Sequence, residues 1–241
     1  MKHSASALLF VLLVLIAGPA AAAMLSVSPV SLDVAAPRTS TKLNLENRGE
    51  EPVTVQIRVF RWEAKDGKDS LTPMSGVVAS PPIATLKPHG KYTVRIVRVA
   101  KEPVASEESY RLLVDQLPKL VKQAGSRVSF LIRQSIPVFF TTGEMQRASL
   151  TWSARIEGQK LVLLAQNKGG RRAKLSKIRL MSPAGAFGGP EEGLAGYVLA
   201  GSTARWVQPR PRGLAPGAEI TIKAQGENGP VEATAVVGAA D

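Results

Sequence analysis

The sequence predicts an all-β chain organised as two successive sandwiches. Three observations predict it. Apolar residues recur at every second position through most of the 241 residues, and no amphipathic helical pattern runs longer than two turns. Gly, Pro and Asn clusters separate the runs at short intervals, as in sandwiches and barrels. Seven such runs fill residues 25–140 and seven more fill 149–237, with Thr141-Thr142-Gly143-Glu144 reading as a linker.

The first set begins with residues 25–34 (LSVSPVSLDV), an alternating run whose Pro29 suits an edge or a kink. Thr41–Glu46 alternates and stops at the turn Asn47-Arg48-Gly49. Val53–Trp62 is a longer run rich in β-formers. Asp66-Gly67-Lys68 marks a hairpin turn, Val77-Val78-Ala79 a short strand, and Ser80-Pro81-Pro82 an extended corner. The turn Lys87-Pro88-His89-Gly90 precedes a strand at 92–99, and another follows at 110–117. In the second set the runs lie at 149–152, 160–165, 174–180, 197–200, 205–207, 219–224 and 231–237. Gly- and Pro-rich loops at 182–193 and 208–217 separate some of them.

Residues 127–140 stand out. One face carries Val128, Phe130, Ile132, Gln134, Ile136, Val138 and Phe140; the other carries Arg127, Ser129, Leu131, Arg133, Ser135, Pro137 and Phe139. As one strand this stretch would reach about 46 Å, well beyond a typical strand of about five or six residues. Two readings remain open. It is either a long core strand closing its own sandwich, or an edge that offers an alternating apolar row to another chain. The second would explain why an aggregation-prone edge is kept.

Composition excludes whole classes of chemistry. There is no Cys, hence no disulfide and no thiolate site, and two His, which almost removes His-based catalysis or metal binding. His89 sits in a Pro-His-Gly turn with no partner for acid–base work. No phosphate loop, carboxylate pair or metal-ligand spacing is present, so neither an enzyme nor a cofactor is expected. The net charge of +12 admits nucleic acid, an anionic surface or an acidic protein as partner. Aromatic residues at 5% and the absence of a known module argue against nucleic acid. The run Lys168, Arg171, Arg172, Lys174, Lys177, Arg179 fits an anion site and a solvated strand face equally well, and Trp152 and Trp206 read as core of the second unit. Lys2 and His3 precede an apolar run from Ala7 to Ala17, then Gly18-Pro19 and Ala21-Ala22-Ala23. This is the pattern of a cleavable secretory signal over 1–23, leaving no membrane anchor.

Several segments in this order and spacing carry a resemblance: Ser28-Pro29-Val30-Ser31-Leu32, Leu43–Asn47, Ser80-Pro81-Pro82 with Leu86–Gly90, 110–118, Ser135–Phe139, Asn167–Gly170, and Tyr197–Gly201 with Trp206. The chain resembles the periplasmic pilus-assembly chaperones of the chaperone–usher pathway (the PapD-like family). Ile136-Pro137-Val138-Phe139 suggests the archaic branch that serves spore-coat-protein-U-like pilins. The resemblance implies two immunoglobulin-like domains in a boomerang, here 24–142 and 143–241, in a non-enzymatic periplasmic protein. Such a protein binds pilin subunits by donor-strand complementation and delivers them to an outer-membrane usher. It implies a pilin-binding strand at Val128, Phe130, Ile132, Gln134 and Ile136, and a self-dimer when no client is bound. The better-known branch holds the pilin C-terminal carboxylate with an Arg and a Lys. Those positions are Pro29 and Pro137 here, leaving Arg95, Arg98, Arg111 and Arg133 as candidates. An interdomain salt bridge would use Glu107, but Thr141 stands where its basic partner is usual, so no bridge is expected. The rival reading is an exported two-domain adhesin or carbohydrate-binding module with an exposed aromatic platform.

Overall fold

The structure, a computed structural model, describes residues 25–65, 67–118, 131–143, 147–182, 185–188 and 193–239. All regular structure in them is strand. The first unit holds β1 (Leu25–Ser28), β2 (Leu32–Ala35), β3 (Ser40–Asn47), β4 (Val53–Lys65), β5 (Lys68–Pro73), β6 (Val77–Ser80), β7 (Ile83–Leu86), β8 (Lys91–Arg98), β9 (Glu108–Gln116) and β10 (Arg133–Thr141). One sheet runs β1-β3-β8-β6; the other runs β2-β10-β9-β4-β5, with β7 also on β4. Their inner faces alternate as the period-2 pattern requires and close on one core that includes Leu43, Leu45, Val55, Ile96, Leu112, Val138 and Phe140.

Residues 25–34 are not one strand. The chain breaks at a cis Ser28–Pro29 bond: β1 pairs antiparallel with β3, whereas β2 crosses to the opposite sheet and runs parallel to β10. Pro29 cannot continue a ladder, so the switch falls there. Two strands of this unit were not legible in the pattern. β5 is exposed at every residue and so has no alternation to read, and β7 is only four residues long.

The second unit holds β11 (Leu150–Glu157), β12 (Lys160–Asn167), β13 (Ala173–Ser182), β14 (Gly185–Phe187), β15 (Leu194–Val198), β16 (Thr203–Pro209), β17 (Glu219–Gly226) and β18 (Gly229–Ala239). They form a continuous ladder β14-β13-β17-β18-β11-β12-β16, because β18 pairs with β17 and then, in parallel, with β11. The ladder folds around Leu161, Leu163, Leu175, Ile178, Leu180, Ile220 and Ile222. Trp152 and Trp206 stack there with ring centres 5.8 Å apart, inside the unit as the sequence suggests.

The β4–β5 hairpin reaches the second unit. At its tip Gly67 has φ +72°, and a Cβ there would sit 2.3 Å from the Cβ of Arg205 in β16. Gly67→Ala is therefore expected to cost roughly 1–3 kcal/mol through backbone strain and the forced separation of the two units. A melting curve indistinguishable from wild type would contradict this contact.

Candidate functional site

The lower half of β10 is an open edge. Along β10 the backbone groups of alternate residues point to opposite sides. Gln116 N–H donates to the Ile132 carbonyl at 3.1 Å, so the even-numbered residues face β9. Ala36 N–H donates to the Thr141 carbonyl at 2.8 Å, so the odd-numbered ones face away. On that far side β2 covers only Val138–Thr141. No strand among the described residues pairs beside Arg133 and Ser135, leaving two N–H and two C=O groups for an incoming strand, while the parallel ladder with β2 begins at the Val138–Leu32 pair. Pro137 is tolerated because its missing donor falls on this unpaired side.

The side chains divide by face. Ile136, Val138 and Phe140 lie in the core of the first unit. Gln134 is half-buried and donates to the Leu25 carbonyl at 3.0 Å. Ile132 is half-buried at the strand's open end, and Leu131 is 51% exposed. The expected strand over 127–140 is thus shorter where it is described: it begins at Arg133, and residues 131–132 are not paired as strand. Val128 and Phe130 lie outside the described residues. Ile136, at 4% exposure, is enclosed by its own core, so the row open to a partner does not extend that far.

The four candidate arginines part company. Arg98 is buried and committed: Nε and Nη2 reach the Glu108 carboxylate at 2.8 and 2.7 Å. Burial pushes Glu108 up, but hydrogen bonds from Arg98 and Tyr110 outweigh it and hold the carboxyl below its usual range. Arg95 is exposed on the other sheet, opposite Lys42. Arg133 donates through Nε to Asp115, which also accepts from Arg58 Nη2 at 2.7 Å. Burial raises Asp115, and the two guanidinium groups more than reverse it, leaving it lowered.

Arg111 is different. It stands across from Pro137 on β9, half-buried, with its guanidinium 3.7 Å from the Trp62 ring centre and 5.7 Å from that of Tyr197. Burial lowers its pKa from the ordinary value, with Asp69 acting in the opposite sense. No carboxylate among the described residues forms an ion pair with it. A guanidinium is charged at any physiological pH, so this is a partly desolvated cation without an anionic ligand among the described residues.

The floor of this cleft is the contact between the units. Trp62 and Phe139 of the first meet Tyr197 and Leu199 of the second. Beside them lies a salt bridge that the sequence reading did not expect. Arg172 Nη1 reaches Glu107 at 2.7 Å, its Nη2 reaches Asp33 at 2.6 Å and Glu227 at 3.7 Å, and its backbone N–H donates to Glu107 at 2.8 Å. Arg172 also stacks on Phe139 at 3.6 Å. Its side chain is 4% exposed and that of Glu107 0%. Burial raises the Glu107 pKa from its ordinary value, while Arg172 and Arg171 oppose the rise only in part. The cation thus comes from the turn before β13, not from position 141. The sequence hid it inside a basic run that fits an anion site or a solvent-facing strand equally well.

Trp62 and Tyr197 were not among the candidates. Trp62 sits on the outward face of its strand, and alternation alone marks that face as solvent. The adhesin reading looked for an exposed aromatic platform, yet Trp62 and Trp152 are buried.

The comparisons agree with this geometry. Residues 24–143 match the family described as Pili and flagellar-assembly chaperone, PapD N-terminal domain. No curated protein sequence matches the chain. Among solved structures, the chain is similar to one of the Acinetobacter baumannii CsuC–CsuE chaperone–tip adhesion subunit pre-assembly complex from archaic chaperone–usher Csu pili. The identity is 27% over 91% of this chain and 100% of that one, with a TM-score of 0.69. The E. coli chaperone DraB (20% identity, 87% and 95% covered, TM-score 0.59) and the Pseudomonas aeruginosa CupB2 chaperone (16%, 88% and 100%, 0.58) share the fold. Open edge, two-sandwich architecture and matched N-terminal domain lead to one conclusion: the chain belongs to the PapD-like family of chaperone–usher pilus-assembly chaperones.

Proposed function

We propose that this protein is a periplasmic chaperone, not an enzyme, that holds an incomplete pilin subunit by strand addition at β10 and hands it to an outer-membrane usher. The observation that carries the reading is the open edge at Arg133–Ser135, continued by Ile132 at the mouth of the core. Main-chain hydrogen bonds to this edge supply affinity for any extended segment, and alternate side chains supply fit. By the alternation of the sequence, Val128 and Phe130 extend the row that Ile132 begins. Burying three such side chains is worth about 5–9 kcal/mol gross, much of it offset by the entropy of association. Arg111 is the anchor for the client's terminal carboxylate, since a guanidinium can take a carboxylate through two parallel hydrogen bonds. Without a client, the same edge pairs with a second copy.

Ile132→Asp and Arg111→Gln test the two halves separately. Both variants are expected to give wild-type circular dichroism and to lose a co-expressed archaic-type pilin subunit by at least tenfold in periplasmic co-purification. Wild-type recovery with Ile132→Asp would overturn strand addition; wild-type recovery with Arg111→Gln would overturn the anchor.

A further inference from the structure

The Arg58–Asp115–Arg133 cluster is unbalanced. Asp115 accepts from Arg58 Nε at 3.2 Å and Nη2 at 2.7 Å through one oxygen and from Arg133 Nε through the other. One carboxylate thus serves two guanidinium groups, leaving one positive charge over. The Arg133 side chain is 60% exposed, and its two Nη atoms have no partner among the described residues. A groove of about 380 Å³ opens beside it, walled by Gln56, Leu117, Leu131 and Ile132. Arg133 also presents its own backbone to the open edge.

We infer that Arg133, with Arg58 behind it, selects client strands that carry an acidic side chain four residues before their C-terminus. This deepens, and rests on, the strand-addition reading. Its geometry follows from the edge. β2 closes the far side of β10 from Val138 onward, so a chain ending at Arg111, in the row of Pro137, must enter from the Arg133 end and run parallel to β10. The rows of Arg133 and Pro137 are four residues apart, about 13 Å. Neighbouring residues on adjacent strands share a face, so the client residue beside Arg133 projects towards the surplus charge. There an opposite charge stabilises the pairing and a like charge opposes it. A residue one place nearer the terminus projects to the other face and is not read.

The probes are fluorescein-labelled twelve-residue peptides of alternating Val and Thr with a free C-terminal carboxylate, titrated against the full chain by anisotropy. Asp placed four residues before the end is expected to bind about tenfold more tightly than Lys at that place. The preference should vanish when the charge is moved to three residues before the end, and in Arg133→Gln. Equal binding of the Asp and Lys peptides to wild type would overturn the inference while leaving strand addition intact. If no peptide binds, strand addition falls and this inference with it.

Discussion

Arg172→Ala is expected to destabilise the protein by about 3–5 kcal/mol, because it strands a fully buried carboxylate without its counter-ion. Among the described residues, Arg171, 3.9 Å away, would be the one cation still paired with Glu107. At about 2–4 °C per kcal/mol for a chain of this size, the melting point should fall by roughly 10 °C. The deficit should also depend on pH in a definite sense. Folded Glu107 has a pKa above its ordinary value, so it holds its proton more tightly than in the unfolded chain. Its contribution to stability is therefore complete below the ordinary carboxylate pKa and is lost as pH rises through the folded value. Removing Arg172 removes the largest influence opposing that rise, so the loss extends to higher pH. The variant should lie closer to wild type at pH 5 than at pH 8. Thermal melts at the two pH values check this; a deficit that grows on acidification would contradict the assignment of Glu107 as the stranded group.

Asn167→Ala should cost about 2–4 kcal/mol, since one fully buried amide serves five backbone groups. Its Oδ1 accepts from the N–H of Ser149 and of Gly169, and its Nδ2 donates to the carbonyls of Arg171, Val198 and Leu199. Each group left unsatisfied in the interior costs about 1–3 kcal/mol, and relaxation or water recovers part of the total. Asn167→Asp should be no milder, because a carboxylate cannot donate to three carbonyls and is itself buried as a charge. Asn47 closes the equivalent strand of the first unit, serving four backbone groups through Gly49, Glu51, Leu86 and Lys87. Asn47→Ala should therefore destabilise by a somewhat smaller amount. Denaturant titration measures both; a loss below 1 kcal/mol at Asn167 would show that the amide is not the clamp described.

Both devices show where a sequence can be read and where it cannot. Asn47-Arg48-Gly49 and Asn167-Lys168-Gly169 are visible as turns, because Asn and Gly are the residues that turns require. Their reach into distant carbonyls is not visible, since the acceptors come from 31 to 40 residues away. Arg172 differs from its basic neighbours in nothing that local pattern records, and only the approach of Asp33 and Glu107 singles it out. Arg98, Arg111 and Arg133 were equivalent candidates for the same reason. Asp115 and Glu108 engage two of them; Arg111 is set against Trp62 and Tyr197.

Alternation by itself pointed to strands in two successive sets, and it divided the residues of β10 between two faces without saying which of them enters the core. Those are consequences of a two-residue period and of Gly, Pro and Asn at the breaks. Only the tertiary structure decided that β2 stops covering β10 at Val138, that the outward-facing Phe139 is buried by Tyr197 and Leu199, and which candidate arginine is half-buried with no ion pair among the described residues. The physical reason is that period assigns a residue to a face, whereas burial and charge pairing depend on what comes to lie against that face from elsewhere in the chain.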